Sequence, residues 1–78
     1  MKLLIINPQK KIFEGEVISV TLPGYLGSFQ ILKNHAPIIS ILVPGVIKVK
    51  DINNQILTFK IENGIVEAAN NIINVLID

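Results

Sequence analysis

The chain has 78 residues, which is enough for a single domain spanning 1–78. It contains no cysteine, so disulfides, thiolate catalysis and cysteine-ligated zinc are excluded. Its net charge is +1, and all seven of its basic residues are lysines. Arginine is the preferred ligand for phosphates and guanine edges, so its absence argues against a nucleic-acid-binding protein. Half of the residues are hydrophobic, which indicates either a dense β core or apolar surface that a partner covers.

No segment has the composition of a membrane span. The most apolar stretch, PIISILVPGVI, is shorter than the ~20 residues that a bilayer requires, and Pro44-Gly45 interrupts it. The N-terminal MKLLIINPQKK has the short apolar run of a signal peptide, but no small-residue cleavage site follows it. We therefore expect a first strand that ends near Pro8 and Gln9, in a protein that is cytosolic or lies on the cytosolic side of a larger structure.

Alternation of apolar and polar residues predicts the strands that follow. In VISVTL, Ile18, Val20 and Leu22 are expected on one face, with Ser19 and Thr21 on the other. VIKVKD and ILTFKI alternate in the same way, with their lysines pointing outward. The last run, IINVLI, is apolar on both faces, so we expect a central position in a sandwich or a covered outer face.

Asparagine and glycine pairs separate these runs. Asn53-Asn54, Asn63-Gly64 and Asn70-Asn71 fit hairpin turns, because both residue types tolerate the positive φ that tight turns require. Pro44-Gly45 predicts a further turn. Turns at this close spacing, with no helical stripe, indicate an all-β sandwich or barrel.

The stretch LPGYLGSFQILKNHAP, residues 22–37, is rich in turn-forming residues and carries the single histidine. Gly24 and Gly27 lack the Lys-Ser/Thr pair and the following helix that a phosphate-binding loop needs. His35 has no predicted nucleophile or acid beside it, and one histidine is a poor metal site. We therefore predict no catalytic residue and no metal site, and His35 is interpreted as a turn residue or an interface contact. No lysine lies on a hairpin tip as in lipoyl or biotinyl carriers.

An ordered set of short motifs runs from Phe13 to Val49. It comprises Phe13-x-Gly15, Val17-x-x-Val20, Leu22-Pro23-Gly24, Gly27, Ile31-Leu32, His35-Ala36-Pro37, Leu42 and Pro44-Gly45. In this order and spacing the set resembles the epsilon subunit of the rotary ATP synthase, which is called delta in mitochondria. The resemblance covers essentially the whole chain but only the family's N-terminal β-sandwich. The helical hairpin that usually follows is not present in these residues.

The resemblance implies a small flattened β-sandwich or barrel of about 8–10 short, mostly antiparallel strands. It also implies a non-catalytic subunit without a cofactor, located in the central stalk. There it would bind the gamma subunit and the c-ring, on the cytoplasmic face of the bacterial plasma membrane, and couple proton-driven rotation to ATP synthesis. Without the hairpin, neither inhibition by extended helices nor ATP binding is expected.

The resemblance further implies roles for individual residues. The gamma-facing set is Asn7, His35, Ala36, Pro37 and Ser40, and the ring-facing loop is Tyr25, Leu26, Gly27, Ser28 and Phe29. Structural turns are expected at Gly15, Gly24, Pro44, Gly45, Asn63 and Gly64.

Two positions depart from the family pattern. Ser28 stands where the family often has an acidic residue, which weakens the expectation of a charge-based contact with the ring. Asn63-Gly64 stands where the family often has Gly-Gly. A plain core role for Leu26 and Phe29 stays open. The alternative functions are a free-standing β-sandwich adaptor that binds another protein and a small enzyme built around His35.

Overall fold

The computed structural model describes residues 1–78 as eight β-strands without a helix. The strands are β1 (Lys2–Ile6), β2 (Lys11–Gly24), β3 (Gly27–Leu32), β4 (Ile38–Leu42), β5 (Gly45–Asp51), β6 (Ile56–Ile61), β7 (Gly64–Ala69) and β8 (Ile72–Ile77). The predicted all-β class, with about eight to ten mostly antiparallel strands, is confirmed. No helix long and apolar enough to cross a lipid bilayer is present.

The eight strands form one hydrogen-bonded sheet, and the long strand β2, with 14 residues, divides it into two halves, each of which we call a sheet. Its first half pairs with β1, which lies beside β8, β7 and β4 in that order. Its second half pairs with β3 on one side and β5 on the other, and β6 completes that sheet beyond β5. The β1–β8 pair is parallel and the other pairings are antiparallel. The two halves face each other as a flattened sandwich, and the end of β2 also pairs with the end of β4 through Gly24 and Leu42.

The core between the sheets consists of 14 buried aliphatic side chains. They are Leu3, Ile5, Val17, Val20, Leu22, Ile31, Leu42, Ile47, Val49, Ile61, Val66, Ala68, Ile73 and Val75. Branched residues dominate this set, and they pack well against a pleated surface because their side chains have few rotamers. The predicted alternation is confirmed in β5, β6 and β8, where the intervening lysines, threonine and asparagine point outward.

The prediction is wrong at Ile18. The pairing of β2 with β5 shifts register between Val17 and Ser19, as in a β-bulge. Val17 is therefore buried, Ile18 is 40% exposed, and Ser19 is only 9% exposed. Beyond the bulge, Val20 and Leu22 point into the core as predicted.

Two of the predicted hairpin turns are confirmed. Asn70 and Asn71 have φ angles of 53° and 61° and join the antiparallel strands β7 and β8. Asn54, with a φ angle of 62°, lies in the β5–β6 turn. In that turn the Asp51 carboxylate accepts hydrogen bonds from the backbone N–H groups of Asn53 and Gln55, at 2.8 and 2.9 Å.

The hairpin predicted at Asn63-Gly64 is wrong. It joins β6 to β7, which lie in different sheets and do not pair, and neither residue has a positive φ. Pro44-Gly45 likewise carries the chain between sheets, from β4 to β5. Gly15, expected in a turn, lies inside β2 opposite Leu3. Gly24 closes the β2–β3 hairpin by pairing with Gly27.

Candidate interaction surfaces

The outer side of the sheet formed by β1, β8, β7 and β4 is apolar. Ile6, Leu76, Ile65 and Ile41 are successive cross-strand neighbours, so they form one row across these strands. Leu4, Ile39 and Ile72 extend the row into a patch, which we call the outer apolar face. Its most exposed members are Ile39 and Ile41, at 67% and 62%, and Leu76 is 51% exposed. A contiguous exposed apolar patch of this kind is a candidate interaction site.

A shallow groove of about 320 Å³ runs along the outer apolar face. Glu67 and Asn74 are its polar residues and oppose each other in the β7–β8 pair. Glu67 is exposed and forms no salt bridge within the chain. The groove therefore suits an apolar partner surface that supplies a cation opposite Glu67.

The β2–β3 hairpin ends in the predicted ring-facing loop. Tyr25 and Leu26 are 71% and 94% exposed, and Gly27, with a φ of 125°, and Ser28 are also exposed. Phe29 is half-buried and packs against the core, so the core role left open above holds for Phe29 and not for Leu26. The structure thus brings four of the five predicted residues to one exposed tip.

Two backbone hydrogen bonds attach this tip to the end of β4. The N–H of Tyr25 donates to the carbonyl of Ile41 at 3.0 Å, and the N–H of Val43 donates to the carbonyl of Pro23 at 2.9 Å. The same Ile41 presents its side chain on the outer apolar face. The hairpin tip and the outer apolar face are therefore joined through one residue of β4.

The five residues predicted to face gamma do not form one cluster. Asn7 lies in the β1–β2 turn, where its side-chain oxygen accepts the N–H groups of Gln9 and Lys10 at 2.9 and 2.8 Å. His35 lies near the opposite end of the sheet, in the β3–β4 connection, and its N–H donates to the carbonyl of Leu32 at 3.1 Å. Its ring Nδ1 lies 2.6 Å from the carbonyl oxygen of Ala36, within hydrogen-bonding distance.

The β3–β4 connection that carries His35 is fixed to the β7–β8 turn. The N–H of Asn34 donates to the side-chain oxygen of Asn71 at 2.7 Å, and the Asn71 amide donates back to Asn34 at 3.1 Å. Ala36 and Pro37 are exposed here, just before β4 begins. These residues and Asn7 therefore border the outer apolar face at its two ends.

Ser40 alternates with Ile39 and Ile41 in β4, so it points away from the outer apolar face. It is partly buried, and its hydroxyl donates to the carbonyl of Ile41 at 3.2 Å. The residues around it, not Ser40 itself, supply the exposed aliphatic surface. The sequence analysis missed these isoleucines, although the β4 segment IISIL carries aliphatic residues on both faces of the strand.

The one ionic cluster of the surface lies at the β1–β2 end. Glu14 accepts from Lys11 and lies 3.2 Å from the Lys2 ammonium. The hydrogen bond from Lys11, followed by that from Lys2, holds the pKa of the Glu14 carboxyl below its ordinary value. No group of three or more histidine, aspartate and glutamate side chains is arranged to hold a metal ion.

The family model of the ATP synthase delta/epsilon chain β-sandwich domain matches residues 1–78. The chain belongs to this family. The epsilon chain of ATP synthase from Chlorobium limicola is 43% identical over 70 residues, which cover 90% of this chain and 80% of that protein. The epsilon chain from Leptospira interrogans is 36% identical over 78 residues, covering 100% of this chain and 61% of that protein. The chain thus spans about three fifths of the length of that epsilon chain.

Two solved structures have the same fold as this member of the delta/epsilon family. One is a chain of the mitochondrial ATP synthase from Euglena gracilis, with a TM-score of 0.90 and 18% identity over 96% of this chain and 48% of that chain. The other is in the central stalk and c-ring of the mitochondrial ATP synthase from Tetrahymena thermophila. Its TM-score is 0.78, at 20% identity over 97% of this chain and 61% of that chain. Both likenesses concern the fold of the β-sandwich.

Proposed function

We propose that this β-sandwich is a non-catalytic central-stalk module of an ATP synthase. It binds the gamma subunit through the outer apolar face and approaches the c-ring with the β2–β3 hairpin tip. In this position it transmits rotation between proton flow and ATP synthesis at the membrane. Support comes from the family, from the epsilon chains to which the sequence is similar, and from the two surfaces described above.

The row Ile6, Leu76, Ile65 and Ile41 is the observation that carries the proposal. These side chains come from β1, β8, β7 and β4, and the pairing register alone brings them together. Their exposure is unfavourable in an isolated chain, because apolar area in contact with water costs about 25 cal/mol per Å². A partner that covers the row removes this cost, and gamma is the partner that the family implies.

The connection between the two surfaces fits a part that transmits force. Ile41 contributes its side chain to the proposed gamma contact and its carbonyl to the hydrogen bond that holds Tyr25. A displacement at the ring-facing tip therefore reaches the gamma-facing sheet through hydrogen bonds and strand pairing, without a flexible linker. Neither surface carries a catalytic constellation, and none is needed for this role.

The test compares aspartate substitutions on the two sides of the sandwich. Ile41→Asp and Ile65→Asp each place a carboxylate in the row, and Val46→Asp places one on the outer side of β5 as a matched control. Fully burying an isoleucine is worth about 1.5–3 kcal/mol, and Ile41 is 62% exposed. We therefore expect each substitution in the row to weaken gamma binding by about tenfold or more (~1.4 kcal/mol).

Binding is measured by calorimetry with purified gamma, and thermal unfolding verifies that all three variants fold. Val46→Asp should bind like the unmodified chain, since Val46 is 49% exposed on the other sheet. Equal gamma affinity of all variants would contradict the proposed docking face. Absence of gamma binding by the unmodified chain, with capture of an unrelated protein instead, would favour the free-standing adaptor.

A further inference from the structure

The outer side of the second sheet carries a polar depression that lies apart from both proposed docking surfaces. It has a volume of about 210 Å³. Ser19 and Thr21 of β2, Gln30 of β3, and Lys48 and Lys50 of β5 line it, with Ile56 at its margin. We refer to these five polar side chains as the β2–β5 depression.

The pairing register holds the five side chains together. Thr21 is the cross-strand neighbour of both Gln30 and Lys48, and Ser19 is the neighbour of Lys50. Directly opposed Cβ atoms in antiparallel strands lie about 4.5–5.5 Å apart, and residues two apart on one strand lie about 7 Å apart. The side chains of both lysines and both hydroxyl residues therefore line the same depression.

None of these side chains has a partner within the protein. The side-chain hydrogen bonds and salt bridges of the chain involve none of the five. Ser19 is only 9% exposed, yet its hydroxyl is not hydrogen-bonded. Every fully enclosed side-chain polar atom of the chain does have a partner. The Ser19 hydroxyl therefore opens into the depression, where a ligand can satisfy it.

The two lysine side chains of the depression are not paired with a carboxylate of the chain. Asp51 is the nearest acid along the chain, and its carboxylate is occupied by the backbone N–H groups of Asn53 and Gln55. Neither Lys48 nor Lys50 forms a salt bridge. All five side chains can donate hydrogen bonds, and two of them are cations, which is the chemistry that recognises an oxyanion.

We propose that the β2–β5 depression binds a phosphate-type oxyanion. Lys48 and Lys50 neutralise its charge, while Ser19, Thr21 and Gln30 donate hydrogen bonds to its oxygens. The anion is either free inorganic phosphate or the phosphate group of a nucleotide, since both present the same oxygens to these donors.

An NMR titration of the 78-residue chain tests the proposal. Inorganic phosphate is added at constant ionic strength, with chloride as the reference anion and ADP in a separate titration. We expect saturable shifts of the Ser19, Thr21 and Gln30 amide signals with phosphate and not with chloride. Tighter binding of ADP at the same amides identifies the source as a nucleotide, and equal or weaker binding of ADP identifies free phosphate.

Three variants connect these shifts to the proposed donors. Lys48→Gln and Lys50→Gln should each weaken binding at least about tenfold, whereas Lys60→Gln, on β6 outside the depression, should leave it unchanged. Ser19→Ala removes the unbonded hydroxyl without a change of charge and should also weaken phosphate binding while the fold is retained. Shifts that do not saturate, or that are equal in Lys48→Gln and Lys60→Gln, would overturn the proposal.

Discussion

Gly64 is a position where one added carbon should destabilise the sandwich. A Cβ atom there would lie 2.6 Å from the carbonyl oxygen of Leu76 and 3.2 Å from Cγ2 of Ile77. Both atoms belong to β8, which pairs with β7 at this point. The carbonyl is part of the backbone, so it cannot rotate away as a side chain would. Gly64 has no positive φ, so the clash is the only cost of Gly64→Ala.

The expected cost follows from this contact. Overpacking in a well-packed site costs about 1–3 kcal/mol, because strands must move to admit the new atom. In a domain of this size, a loss of 1 kcal/mol of stability lowers the unfolding temperature by about 4–8 °C. The unfolding temperature of Gly64→Ala should therefore be about 5–20 °C lower than that of the unmodified chain. Gly15→Ala is the matched control, since its Cβ would meet the Phe13 ring at 3.4 Å, which is near ordinary contact.

Thermal and urea unfolding followed by circular dichroism measure both variants. Gly15→Ala should be neutral, or more stable by about 0.4–1 kcal/mol, because alanine restricts the unfolded chain. If Gly64→Ala and Gly15→Ala unfold at the same temperature, the close approach of β7 and β8 does not govern stability at this end of the sheet.

Two further predictions concern the surface. Ser28→Cys should crosslink to cysteines in the ring loops of the assembled complex. The control Thr58→Cys, on the outer side of β6, should not crosslink. Equal crosslinking yields from the two variants would contradict the proposed orientation of the hairpin tip. Carbon-detected NMR should find the pKa of Glu14 below its ordinary value, with Lys11→Gln moving it back up. Because the folded-state pKa is lowered, the Glu14 contribution to stability is present above the unfolded-state pKa and is lost as pH falls through the folded-state pKa. A pKa that does not respond to Lys11→Gln would assign the shift to another cause.

The strands that the sequence predicted correctly are those whose burial alternates without interruption. In β5 and β6, lysine or threonine separates each pair of core residues, so the local pattern alone gives the orientation. The pattern failed at Ile18 because the bulge depends on the distant strand β5. It failed at Asn63-Gly64 because turn residues do not reveal whether the flanking strands pair with each other or belong to different sheets.

The interaction surfaces also differ in how well the sequence predicts them. The exposed hairpin tip at Tyr25 and Leu26 follows from local turn chemistry, so the sequence located it. The outer apolar face combines Ile6, Ile41, Ile65 and Leu76, which are far apart in the chain. The sequence indicates it only indirectly, through the apolar outer residues of β8 and β4. The β2–β5 depression likewise depends on the register that places Ser19 and Thr21 beside Lys50 and Lys48.

The position of β8 has a consequence for biosynthesis. This strand, formed by residues 72–77, lies between β1 and β7. The connection from β1 through β8 to β7 therefore forms only when β8 has paired with both strands. A ribosome that has made β1 through β7 holds a nascent chain in which Leu3 and Ile5 still lack their cross-strand neighbours Ile73 and Val75. Completion of the fold must therefore wait until Ile77 has left the exit tunnel. Pairing between strands this distant in sequence is also slow, so the docking of β8 is expected to be a late step of folding. Factors that bind nascent chains can act before this step is complete.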